Sequence, residues 1–182
     1  TLDTSYTQGY KNTSTTKTDG SRSHIFTELD IDFGKNQSYD SNISFKTQRT
    51  SNDTYFRIHN INTALVNYEN TDLRNEINYN FSKDDMYLNI SSAMYENLRE
   101  TTNNRYEYVL PNIMFGKTFF TERFGSLDFK SNAVYKNYDT NKHTSLLTND
   151  IIWSPNSLIT KKGFINTLEA MIKNTNYEAK NT

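Results

Sequence analysis

The chain has 182 residues, a hydrophobic fraction of 34% and a mean hydropathy of −0.84, which is low for a soluble globule that must bury a core. Lys+Arg 20 against Asp+Glu 21 leaves a net charge of −1 and no overall basic footprint for nucleic acid. The lack of cysteine excludes disulfides and thiolate metal sites in this chain, no apolar run approaches the ~18 residues of a membrane-spanning helix, and no N-terminal stretch reads as a signal peptide.

So polar a composition also suits disorder, but Tyr 13 and Phe 11, together with sustained alternation, argue for strands. Residues 1–10 read as a weak strand and 11–22 as a polar loop ending near Gly20. From His24 the alternation is clean: Leu29, Ile31 and Phe33 face one way, Glu28, Asp30 and Asp32 the other. Residues 34–37 turn the chain, and Ile43 and Phe45 return opposite Ile31 and Leu29. After a loop at 50–53, Phe56 and Ile58 alternate with Arg57 and His59, which predicts a strand over Tyr55–Ile61. Residues 62–71 are ambiguous, with Ala64-Leu65-Val66 either a short strand or a loop packed inward.

The clearest pattern spans 73–94. Leu73, Asn75, Ile77, Tyr79 and Phe81 share one side of a strand, and Arg74, Glu76, Asn78 and Asn80 share the other. A polar turn over Ser82–Asp85 leads to Met86, Leu88, Ile90, Ser92 and Met94. Folding about that turn predicts a hairpin in which Phe81 faces Met86, Tyr79 faces Leu88, Ile77 faces Ile90, Asn75 faces Ser92 and Leu73 faces Met94.

Residues 97–104 read as a polar loop. A strand from 105 continues through Pro111, whose missing donor predicts a bulge or an edge. Residues 117–126 read as the next turn. The following strands place Leu127 opposite Trp153 and Phe129 opposite Ile151, residues 154–157 turn, and 163–177 form a last long strand. The fold class is therefore all-β: an antiparallel up-and-down sheet of about nine or ten strands with no helix.

A soluble sandwich alternates too. Long strands whose polar face stays polar throughout, with Tyr55, Tyr87, Tyr95, Tyr106, Phe119, Phe120, Tyr135, Tyr138 and Trp153 gathered toward strand ends as girdles, favour a segment of a transmembrane β-barrel. The pattern starts and stops in mid-course, so the expectation is that residues 1–182 are one piece of a barrel domain.

Four stretches carry a resemblance: GSRSHIF at 20–26, NDTYFRIHN at 52–60, RYEYVLPNIMF at 105–115 and NTNYEAKNT at 174–182. Together they resemble the barrel of the lipopolysaccharide-assembly family (LptD, also called organic-solvent-tolerance proteins) of Gram-negative outer membranes. The match runs over nearly the whole chain, each motif is loose, and none is a catalytic signature. The resemblance implies an outer-membrane barrel that inserts lipopolysaccharide into the outer leaflet. Its partners would be a plug lipoprotein of the LptE kind, membrane lipid, and a periplasmic bridge protein reached through an N-terminal jelly roll not found in these residues. The family's domain-linking cysteines are missing, and Pro111 does not correspond to its gate prolines.

Catalytic chemistry is not legible. His24, His59 and His143 lie on separate segments without ligand spacing and are expected on the surface or in the lumen. The Glu28, Asp30 and Asp32 row reads as solvated charge, and Asp84-Asp85 as a turn. Asn42, Asn52, Asn80 and Asn89 match the glycosylation pattern at a frequency that so Asn-rich a chain reaches by chance. No enzyme, cofactor or metal is expected. The candidate lumen contacts are Arg57, Arg74, Glu76, Arg105 and Glu107. Rival readings are a porin or receptor barrel of another family, and a soluble secreted β-protein that binds carbohydrate through its aromatics.

Overall fold

The computed structural model describes residues 1–10, 20–34, 38–67, 69–101, 105–138 and 142–181. Parts of three sequence-based assignments fall outside them: the loop at 11–22, the turn at 34–37 and the loop at 97–104. The elements are β1 (Leu2–Tyr10), β2 (Gly20–Phe33), β3 (Asp40–Thr50), a helical turn α1 (Tyr55–Ile58), β4 (Asp72–Lys83), β5 (Met86–Asn97), β6 (Tyr106–Thr121), β7 (Gly125–Tyr138), β8 (His143–Ser154), β9 (Leu158–Ile159), β10 (Ile165–Asn166) and β11 (Ala170–Lys180). Nine strands form one antiparallel sheet in the order β1-β2-β3-β4-β5-β6-β7-β8-β11, while β9 and β10 make a separate hairpin. The sheet is open, with β1 and β11 as its edges, so these strands do not close into a barrel.

Period-2 alternation sorts the side chains onto two unlike faces. On one, Ile31, Ile43, Tyr79, Ile90, Ile113, Ala133 and Leu147 stand in register across seven strands. Among the described residues, no second layer covers this row. Ile77 is 52% exposed and Ile90 37% exposed, far above what an interior position shows. The opposite face carries Glu28, Asp30 and Asp32 with Asn42, Asn78, Asn80 and Asn89.

Two predicted registers match the structure: Leu29↔Phe45 with Ile31↔Ile43, and Leu127↔Trp153 with Phe129↔Ile151. Pro111 does sit at a bulge, where the β6–β7 register shifts between Val109 and Asn112. The 73–94 hairpin forms, but two residues away from its predicted register. Phe81 faces Leu88, Tyr79 faces Ile90, Ile77 faces Ser92, Asn75 faces Met94 and Leu73 faces Glu96. The reason is the turn. Ser82 and Lys83 stay in the ladder, and Asp84-Asp85 alone reverses the chain, Asp84 taking the left-handed conformation (φ 48) that aspartate tolerates. A shift of two keeps parity, so the faces survive.

Three other expectations are corrected. Tyr55–Ile61 is not a strand. Its first four residues form α1, and Tyr55 and Phe56 are both buried, which adjacent residues on a half-exposed strand do not achieve. Residues 117–126 are mostly strand, since β6 runs to Thr121 and only 122–124 turn. The last strand is β11, Ala170–Lys180, and Leu168 lies before it.

The small core lies at one end of the sheet. The β3–β4 ladder stops at Lys46↔Glu76. Beyond it side chains replace the backbone ladder: the Gln48 N–H donates to Asn75 Oδ1 (3.0 Å), and the Arg74 N–H donates to Gln48 Oε1 (2.9 Å). The described residues of 51–71 fold back there, so the ambiguous stretch around Leu65 and Val66 is an inward-packed loop. Phe56 and Val66 bury against Phe26, Leu73 and Leu98, and Gln48 Nε2 donates to the Leu65 carbonyl.

Candidate functional site

The polar face is the candidate site, and in-register asparagines organise it near the sheet end that holds the 84–85 turn. Asp32, Asn42, Asn80 and Asn89 are successive partners across β2, β3, β4 and β5. Asn42 Nδ2 donates to Asp32 Oδ1 (3.0 Å), Asn80 Nδ2 to Asn42 Oδ1 (3.5 Å), and Asn89 Nδ2 to both Asn80 (2.6 Å) and Asn78 (2.7 Å). An amide carries donors and an acceptor, so such a ladder satisfies itself and still offers hydrogen bonds outward. Beside it Glu28, Lys46 and Glu76 alternate in sign across β2, β3 and β4.

Of the five predicted contacts, three come together here. Arg74 pairs with Glu76 (2.6 Å), and its guanidinium lies 5.6 Å from the centre of the Tyr95 ring. Tyr95 is the register partner of both Arg74 and Glu107, and Glu107 in turn accepts from Lys136 Nζ (3.1 Å). The result is a mixed-charge row over β4–β7, partly exposed to solvent. Arg57 is elsewhere, exposed on α1 rather than on a strand.

Arg105 is also elsewhere, buried just ahead of β6. Its Nε and Nη2 donate to Glu96 Oε1 (3.0 and 2.6 Å), Nη2 also reaches Asp53 Oδ1 (2.5 Å), and Nη1 donates to the Glu100 carbonyl (3.0 Å). Burial works against the guanidinium charge, but hydrogen bonds and charge from Asp53 and Glu96 outweigh it and raise the pKa above its ordinary value. This clasp ties the 51–71 segment to the end of β5. A second knot does the same for β1 and β2. There His24, expected on the surface or in the lumen, is buried, stacks on Phe26, and lies within hydrogen-bond distance of Asp3, Ser5 and Tyr55. Tyr55 is thus a core residue and not part of a girdle.

Two features escaped the sequence reading. The asparagine ladder is detectable in principle, since Asn42, Asn80 and Asn89 share the polar face of neighbouring strands. The other is Tyr87, whose ring covers Gly116, its cross-strand partner; a Cβ at Gly116 would lie 2.2 Å from the Tyr87 ring. A cleft of about 990 Å³ where β3 and β4 part is lined by Arg49, Gln48, Asn75, Glu96 and Tyr106 among others. Among the described residues, no three His, Asp or Glu side chains are placed to hold a metal ion. Comparisons with protein-family models, with curated proteins and with solved structures return no match for this chain.

Proposed function

We propose that this chain forms part of the wall of an outer-membrane β-barrel in a Gram-negative bacterium, and that the barrel helps place lipopolysaccharide in the outer leaflet. The observation that carries the wall reading is the uncovered apolar row from Ile31 to Leu147, backed by an asparagine-rich opposite face. Lipid is the medium that satisfies one face while water or polar cargo satisfies the other. The main strands, from β1 at 9 residues to β6 at 16, are long enough to cross a bilayer when tilted. From β2 to β8 each strand is flanked by two partners, the β3–β4 ladder ending at Lys46↔Glu76, and in a hydrocarbon setting the open edges at β1 and β11 would need further strands.

The cargo rests on the sequence resemblance. On this reading transport is passive. Sugar hydroxyls and phosphates move past the amide ladder and the Arg74–Glu76 and Lys136–Glu107 pairs, while the acyl chains pass toward the bilayer. The plug lipoprotein would bear on the same polar face.

A photo-crosslinking amino acid tests both parts. Placed at Asn78 or Asn89 of the full-length protein in outer membranes, it should capture lipopolysaccharide. Placed at Ile77 or Ile90, it should capture bulk membrane lipid. Labelling of soluble polar solutes alone at Asn78 and Asn89 would replace the transport reading with a porin-like one.

A further inference from the structure

The connection between β8 and β11 stands outside the nine-stranded sheet. Within it β9 and β10 form a two-residue-per-strand hairpin, Ile165↔Ile159 and Asn166↔Leu158. Its turn is closed internally: the Gly163 N–H donates to the Thr160 carbonyl (2.9 Å), the Thr160 N–H to the Phe164 carbonyl (2.9 Å), and the Phe164 N–H to Thr160 Oγ1 (3.1 Å). Its side chains are another matter. Leu158 and Ile159 are each 72% exposed, and Phe164, Ile165 and Leu168 are comparably bare.

Strand geometry decides what can cover them. Ile159 and Ile165 share one face of the hairpin, Leu158 and Phe164 the other. A single protein surface docking on this hairpin would cover one face and leave the other wet. Immersion covers both. The tip carries Lys161 and Lys162, and no acidic residue occurs from Pro155 to Leu168. Apolar side chains flanking adjacent lysines fit the boundary between acyl chains and phosphate headgroups.

The base is fixed at an aromatic rim. Asn156 Nδ2 donates to the Glu122 carbonyl (2.6 Å), and Trp153 Nε1 donates to the Phe124 carbonyl (2.9 Å). The hairpin leaves the sheet at the end that also holds the tight turns at 84–85 and 122–124. In outer-membrane barrels short turns face the periplasm.

We propose that the β9–β10 hairpin is a membrane anchor that inserts into the anionic phospholipid of the periplasmic leaflet, through Leu158, Ile159, Phe164 and Ile165, with Lys161 and Lys162 on the lipid phosphates. This rests on the barrel-wall reading above. Each lysine at an anionic surface favours the inserted state roughly fivefold.

These 182 residues hold no cysteine, so an introduced one is their only thiol, and any cysteine elsewhere in the full-length protein is first replaced by serine. The test compares an environment-sensitive fluorophore at Phe164→Cys with one at Ile77→Cys, in the full-length protein reconstituted with or without phosphatidylglycerol. The anchor predicts that the Phe164 label is quenched by shallow lipid-borne quenchers, more so with phosphatidylglycerol, and that Lys161→Glu/Lys162→Glu removes that increment. Quenching of the Ile77 label by lipid while the Phe164 label meets only an aqueous quencher overturns the anchor and leaves the wall reading intact. Protection of the Phe164 label from both quenchers assigns the hairpin to a protein partner or a second copy and also overturns it. Aqueous quenching at both sites overturns wall and anchor together.

Discussion

Replacing Arg105 by methionine removes a cation that bridges two buried carboxylates, Asp53 and Glu96. The side chains of Arg105, Asp53 and Glu96 are only 8%, 9% and 7% exposed, so water does little to screen what remains. Leaving a buried charge without its partner typically costs about 3–5 kcal/mol. The loss falls on the 51–71 segment, because Asp53 belongs to it and Glu96 belongs to β5. Arg57 lies in that segment, exposed, and is a natural trypsin site. If opening is fast relative to cleavage, the rate at Arg57 follows the open population and should rise at least about a hundredfold in Arg105→Met. Arg105→Lys keeps the charge but loses the forked contact to Glu96, and should fall between the two. Adding Asp53→Asn and Glu96→Gln to Arg105→Met should recover much of the protection, since no unpaired charge is then buried. Unchanged cleavage at Arg57 in Arg105→Met would refute the clasp.

Other expectations follow from single contacts. Gly116→Ala puts a Cβ into the Tyr87 ring and should cost about 1–3 kcal/mol in urea unfolding, with most of it returned by adding Tyr87→Ser. Leu73→Ala, at a position with no exposure, should cost about 2–5 kcal/mol by the same assay. Asn89→Ala removes two short side-chain hydrogen bonds on a half-exposed face and should cost about 1–2 kcal/mol, measured as a shift in the urea midpoint. Ile90→Arg should destabilise the bilayer-folded protein by about 2–4 kcal/mol, whereas Asn89→Arg should do so far less.

Parity was the readable quantity. Whether a residue belongs with Ile31 or with Asp30 depends only on odd or even spacing, which a linear pattern records directly. Register was readable where apolar positions on both strands constrain it, as with Phe129 and Ile151. It failed by two at 73–94, because Ser82 and Lys83 look like turn residues and the local pattern does not reveal that Asp84 alone will take a positive φ. The Tyr55–Ile58 turn was hidden because Phe56 and Ile58 offer only one alternation, equally consistent with a strand. Arg105 was legible as a polar position, but its partner Asp53 lies 52 residues away and no periodicity connects them. Likewise Tyr55 read as one more strand-end aromatic, although its hydroxyl lies 2.6 Å from Ser5 Oγ, a contact that exists only after the sheet has formed.

The account depends most on what covers Ile77, Leu88 and Ile90. Single-cysteine labels walked along β4 and β5, at Ile77, Asn78, Leu88, Asn89 and Ile90, with lipid-borne and aqueous quenchers applied in turn, read this directly. A membrane wall gives strict alternation, with lipid quenching at Ile77, Leu88 and Ile90 and aqueous quenching at Asn78 and Asn89. Aqueous quenching at all five positions, or shielding of the first three from both quenchers, would contradict it.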